Sequence, residues 1–403
     1  MLGPYGSLLR RKGATAFVAA GFVGELPVAM VSLGIVFLVS AKTDSYALAG
    51  AMSATFSLSM ALVSPLGARF VDRLGQARVL PVMAAGEVLF LLGFVFVATH
   101  RGPVALQFLL LIVSGGMTQN MGACVRARWS AMLTGTDEIR PAFSLEAVID
   151  ELVFMLGPLA VTWLCVYIAD QTGLIAAAAL VVLGSGWLAS QRSTQPPPRP
   201  KRQQHGNAKL LVRTMIIVTV LMALLGAIFG SFEVTTVAFS ESEGAEALTG
   251  WMLALYAGGS LIAGLVVGAV RVTANPARLL LVYALALAIV TAFYPFVTSL
   301  AMLAPVAFLA GMAVSPVLIT ATTLVENAVP AARLTEALTL TVSAMAVGLA
   351  IGSTTSGAII DAFVPARGYI VMSVGAVLVF AVTAATFRGL ARDVVVMDEA
   401  AID

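Results

Sequence analysis

Charge is scarce in this chain: only 11% of its 403 residues are Asp, Glu, Lys or Arg, against about 25% in an ordinary soluble domain. Cysteine is almost missing. The two present, Cys124 and Cys165, both fall inside apolar runs, which argues against a disulfide framework or thiolate metal site and leaves them as small buried hydrophobes. Histidine occurs twice, at His100 and His205. From these two no nucleophile, base and orienting partner can be assembled, so an enzyme is not expected. There is no GxxxxGK[ST] phosphate loop and no HExxH zinc pair, so direct ATP drive is unsupported and no cofactor or metal is expected. A net charge of +2 is too small to call for nucleic acid.

What fills the chain instead is apolar. Hydrophobic residues make up 60% and the mean hydropathy is +0.98. One soluble core of this size cannot hide that much apolar surface, so much of it must face lipid, which leaves helices or a closed barrel. A barrel would alternate apolar and polar residues in segments of about ten. The runs here are long and continuous, so the expected fold is all-α and membrane-integral. Arg10, Arg11 and Lys12 precede the first run, and Val39-Ser40-Ala41 resembles a signal-peptidase site. The run from Ala14 to Val39 is longer than the 7–15 apolar residues of a signal segment, and it reads as a retained first span.

Applying a length of about 20 apolar residues per span gives twelve candidates: 14–39, 46–67, 79–99, 103–125, 145–169, 172–190, 211–239, 248–270, 278–298, 301–325, 336–362 and 367–387. With the N-terminus placed in the cytoplasm, all 23 basic residues except Lys42, Arg101 and Arg367 fall on the cytoplasmic side. Such a bias sets orientation. It predicts a multi-pass protein of a bacterial cytoplasmic (inner) membrane with both termini inside. The polar stretch Gln191–Lys209, with Pro196-Pro197-Pro198, reads as an extended linker. The expected division is a six-helix bundle over 1–190, a linker over 191–209, a second bundle over 210–390 and a cytoplasmic tail over 391–403.

The two halves echo each other. Leu48-Ala49-Gly50-Ala51-Met52 opens span two and Leu248-Thr249-Gly250-Trp251-Met252 opens span eight. Arg78 is matched by Arg278, Gly116-Met117 by Gly311-Met312, and Glu146-Ala147 by Glu336-Ala337. Repeats of this kind around a site near the bilayer midplane are a transporter architecture.

Between spans two and three the chain reads Gly67-Ala68-Arg69-Phe70-Val71-Asp72-Arg73-Leu74-Gly75-Gln76-Ala77-Arg78. This resembles the loop signature of the major facilitator superfamily, G-x-L-A-D-R-x-G-R-R. The leading glycine falls on Ala68, with Gly67 one place early, and the basic pair is replaced by Gln76-Ala77 with Arg78 next. With twelve spans, a central linker and a repeat, the resemblance covers nearly the whole chain. It implies two pseudo-symmetric six-helix bundles around a central cavity and a cytoplasmic gate built on Asp72, Arg73, Gly75 and Arg78, with Asp72 facing the N-terminal end of span eleven. The alternative is a positively charged turn that only sets topology. In span five, where drug-antiporter members carry a run ending G-P-x-x-G-G, only Gly157-Pro158 is kept, followed by Leu159-Ala160-Val161-Thr162. In span four Gln119-Asn120-Met121-Gly122-Ala123 matches the end of a second pattern, while Gly116 occupies the place of its arginine.

Charges inside spans are costly and mark cavities, partners or substrate. Glu25 lies about 16 Å into span one at 1.5 Å per residue, near the midplane, with Pro27 following. No basic residue is predicted at its depth, so a proton or cationic substrate is its expected counter-charge. Glu233 in span seven, followed by Thr235 and Thr236, is a second candidate. Glu146, Asp150 and Glu151 begin span five where Arg126 and Arg128 end span four, which predicts an ion-pair cluster of Arg126, Arg128 and Glu146. Asp150 and Glu151 are left divided between coupling and structure. Glu87 reads as a buried, hydrogen-bonded acid.

The expectation is therefore a secondary active transporter working by alternating access, monomeric, with protons, a small molecule and the bilayer as its partners. Deep acids outnumber deep bases, which favours proton-coupled export of small amphipathic or cationic molecules. The rivals are a proton-coupled importer of a small solute such as a sugar, and a non-transporting receptor or scaffold.

Overall fold

A computed structural model describes residues 3–134, 138–197, 212–269, 275–329 and 334–400. Among the described residues the only regular elements are helices. Twelve are long and apolar enough to cross a bilayer. The first six spans are Ala14–Thr43, Tyr46–Val63, Gln76–Thr99, Val104–Met132, Pro141–Tyr167 and Thr172–Ser190. The second six are Arg213–Ser242, Glu246–Val267, Pro276–Phe296, Leu300–Val325, Ala337–Ala362 and Pro365–Ala391. Large apolar side chains such as Phe96, Leu183 and Ile351 stand more than half exposed on these helices. That arrangement is stable only where lipid replaces water.

The chain separates into two compact units, Met1–Lys42 with Thr55–Gln203, and Thr43–Ala54 with Gln204–Asp403. In the second unit span seven packs along span eleven. A Cβ at Gly226 would run into the backbone at Met345, and one at Gly348 into the backbone at Ala223. Lipid gives no hydrophobic reason for helices to associate, so close backbone approach through small residues supplies the contact. One crossing occurs in both units. Gly115 packs on the Phe56 carbonyl, and Gly311 on the Tyr256 carbonyl. The sequence comparison aligned Gly116 with Gly311. Close approach pairs Gly115 with it instead, because position on the crossing, not residue type, distinguishes two adjacent glycines.

Three boundaries differ from expectation. Thr43–Ala54, expected in the first bundle, clusters with the second unit. There the Asp361 carboxylate accepts from Ser45 Oγ at 2.7 Å and from the backbone N–H groups of Tyr46 at 2.7 Å and Ala47 at 3.0 Å, capping the otherwise unsatisfied start of span two. The linker's first residues are folded: Arg192–Thr194 forms a 3-10 turn, and Gln195 Oε1 accepts from Ala77 N–H at 2.8 Å. The rest of that stretch, 198–211, lies outside the described residues. The last helix runs on to Ala400, through most of the expected tail.

Candidate functional site

Span four is broken. One half-helix covers Val104–Met117 and a second Met121–Met132. Thr118 takes an extended conformation, and the Asn120 side chain caps the second half by accepting from Ala123 N–H at 2.8 Å. Asparagine competes for backbone donors in this way and favours caps over helix interiors. The break leaves a helix N-terminus, with its positive partial charge, inside the first unit.

Glu25 of span one lies against that N-terminus. The Gly122 backbone N–H and the Arg126 guanidinium both face its carboxylate. The approach is so close that a Cβ on Gly122 would sit 2.7 Å from Glu25 Oε1 and 3.1 Å from Arg126 Nη1. Arg126 is ion-paired with Asp150 of span five. The second Asp150 oxygen, Oδ1, is buried with no hydrogen-bond partner. Glu146, 2% exposed, accepts from Trp129 Nε1 at 2.8 Å, and the indole is held edge-on by Phe17 with ring centroids 4.8 Å apart. Glu151 is half-buried one residue beyond Asp150. Four carboxylates thus share one neighbourhood with the single guanidinium of Arg126.

Two expectations are corrected here. Glu25 has a basic neighbour after all. Arg126 starts four residues beyond Gly122, about 6 Å of helix rise, and its long side chain carries the charge back to the acid. The cluster of Arg126, Arg128 and Glu146 does not form either. Arg128 is fully buried and donates to neutral oxygens only: Gln76 Oε1 at 2.7 Å, the Gln191 carbonyl at 2.9 Å, Thr194 Oγ1 at 2.6 Å and the Leu188 carbonyl at 2.8 Å. It ties the second half-helix to the end of span six and the start of the linker, and Asp150 rather than Glu146 takes Arg126.

Gly75 turns the chain between spans two and three at φ 87°, a left-handed conformation that glycine adopts without strain. Asp72, Arg73 and Arg78 are exposed around it. Asp72 was expected to face the N-terminal end of span eleven; residues 330–333, which lead into that span, lie outside the described residues. Gln76, which replaces a basic residue of the signature, is buried. It accepts from Arg128 and donates to the Cys124 carbonyl at 3.0 Å. Sequence reasoning missed Gln76, Gln191 and Thr194, and the departure from the signature at Gln76 was the available signal. Glu233 is half-buried on span seven in the second unit.

Residues 14–246 match the sequence model of the Major Facilitator Superfamily. The chain belongs to that superfamily. No curated relative matches this major facilitator in sequence. Among solved structures it is similar to the POT family transporter PepTSo, with a TM-score of 0.73 at 12% identity over 93% of this chain and 97% of the other. It is also similar to the nucleoside transporter NupG, with a TM-score of 0.72 at 14% identity over 93% and 99%. A third is the human organic anion transporter MFSD10, with a TM-score of 0.59 at 15% identity over 92% and 99%. These identities establish likeness of fold. The superfamily makes the protein a multi-pass membrane transporter rather than an enzyme.

Proposed function

We propose that this major facilitator exports small cationic or amphipathic molecules in exchange for protons, and that Glu25, Asp150 and Arg126 couple the two. The observation that carries the reading is the unpartnered, buried Asp150 Oδ1 beside an arginine already shared with Glu25. One guanidinium cannot balance four nearby carboxylates. Buried negative charge without a partner is costly, so the surplus calls for protons or a cationic guest. The two then compete for the same oxygens, which is what antiport requires. Glu151 extends the acidic surface, and Glu233 is assigned to substrate contact in the second unit. The orientation follows the basic-residue bias, with both termini in the cytoplasm and Asp72, Arg73, Gly75 and Arg78 acting in a cytoplasmic gate.

The test is proton movement in vesicles reconstituted with purified protein and acidified inside, on adding each member of a panel of cationic drugs and sugars. A cationic compound should release protons. Glu25→Gln, which keeps size and hydrogen bonding but cannot titrate, should abolish uphill transport while leaving downhill exchange. Uphill transport by Glu25→Gln with unchanged pH dependence would make Glu25 structural and refute the assignment. A response to sugars alone, with protons moving alongside them, would favour import.

A further inference from the structure

The break in span four faces a second acid on its other side. Glu87 of span three is 2% exposed. Its Oε1 accepts from Thr118 Oγ1 at 3.2 Å, and its backbone carbonyl accepts from Ser114 Oγ at 3.1 Å. Thr118 caps the C-terminal end of the first half-helix, and that end carries negative partial charge. Glu25 meets the favourable end of a half-helix and Glu87 the unfavourable one. Among the described residues no charged side chain faces Glu87.

Beside it lies a small cavity inside the first unit, lined by Glu87, Thr118, Gln119 and Ser185 together with Gly24 and Pro27 of span one. The Gln119 amide spans the wall. In the orientation that satisfies both its ends, its nitrogen donates to Ser185 Oγ at 3.0 Å and the Leu80 carbonyl at 3.3 Å, and its oxygen accepts from Ala84 N–H at 3.1 Å. The polar lining is thus one carboxylate, two hydroxyls and one amide. Oxygen donors of this kind suit hard cations. A single carboxylate balances a single positive charge. Interrupted helices hold coupling cations on unwound carbonyls and half-helix C-terminal ends.

We propose that this cavity binds a small monovalent cation, sodium by charge and donor type, held by the Glu87 carboxylate and the Thr118 and Ser185 hydroxyls at the C-terminal end of the first half-helix. The site is separate from the Glu25 group and does not depend on its role. A ligand that binds the folded state raises its unfolding temperature. The full-length protein, purified in detergent, should therefore unfold at a saturably higher temperature in sodium chloride than in choline chloride of equal ionic strength. Radioactive sodium should bind at one ion per chain. Thr118→Val, which keeps shape and loses the oxygen, should weaken sodium binding at least about tenfold. Glu87→Gln should abolish it, and Glu25→Gln should keep it even where proton coupling is lost. The absence of any sodium-specific shift or binding in the wild type would overturn the proposal, as would stabilisation by low pH alone that Glu87→Gln removes, since the carboxyl would then hold only a proton. Should Glu87→Gln fail to fold, Thr118→Val and Ser185→Ala decide the matter by the same binding assay: undiminished sodium binding in both would refute the site.

Discussion

At the scale of single residues, each charge around the broken span is defined by what answers it. Glu146 depends on one indole N–H. Trp129→Phe would keep the ring packed on Phe17 and remove that donor. The buried acceptor would then go unsatisfied, at a cost of about 1–3 kcal/mol. We expect a lower thermal unfolding temperature in detergent, and an unchanged temperature would mean another donor replaces the indole. The acids themselves were legible in the sequence because charge in an apolar run is conspicuous. Their partners were not. Counting residues along a helix locates a Cα, whereas an arginine delivers its charge some ångströms away. That is why Arg126 was assigned to an ion-pair cluster with Arg128 and Glu146 and Glu25 was left without a cation. Arg128 was paired with an acid on grounds of charge alone, but guanidinium N–H donors can be met as well by neutral oxygens, and here two carbonyls, an amide and a hydroxyl accept from it.

At the scale of the element, the interrupted span matters most. Its length and hydropathy read as one continuous helix, and after Pro103 at its start the run contains no proline to announce a break. The polar triplet Thr118-Gln119-Asn120 was the sign, and its Gln119-Asn120 was read within the end of a family pattern rather than as a cap. Asn120→Ala should remove the side-chain acceptor and cost about 1 kcal/mol. The same change should reduce substrate-driven proton release, because the second half-helix would present its N-terminus to Glu25 less rigidly. Full activity with normal stability in Asn120→Ala would show that the break is held by tertiary packing rather than by its cap. The close glycine crossings were legible only as composition. Which glycine meets which carbonyl follows from packing, as the shift from Gly116 to Gly115 illustrates.

At the scale of the whole molecule, the twelve-span architecture was readable because bilayer thickness imposes a length and the absence of water imposes helices. Topology carries a direct test. His205 lies in the stretch between the two sets of six spans. A cysteine introduced there (His205→Cys) should resist impermeant thiol reagents applied to intact cells and react once the membrane is opened. Strong labelling from outside would reverse the orientation. The background is favourable, since Cys124 and Cys165 are both buried. What the sequence could not give is where a compact unit ends when a helix is shared. Thr43–Ala54 joined the second unit because the Asp361 carboxylate caps the start of span two, a contact between residues more than three hundred positions apart.

The buried amide of Gln76 bears on how this protein can change. Replacing it with the basic residue that the major facilitator signature has at this place is the move a consensus-based engineer would try first. Here it would set one guanidinium against another, since Arg128 already occupies the space facing that side chain. Position 76 can therefore take up the signature's basic residue only if position 128 gives up its charge in the same step. The two positions are interlocked, and the side chain at one limits which side chains the other can hold.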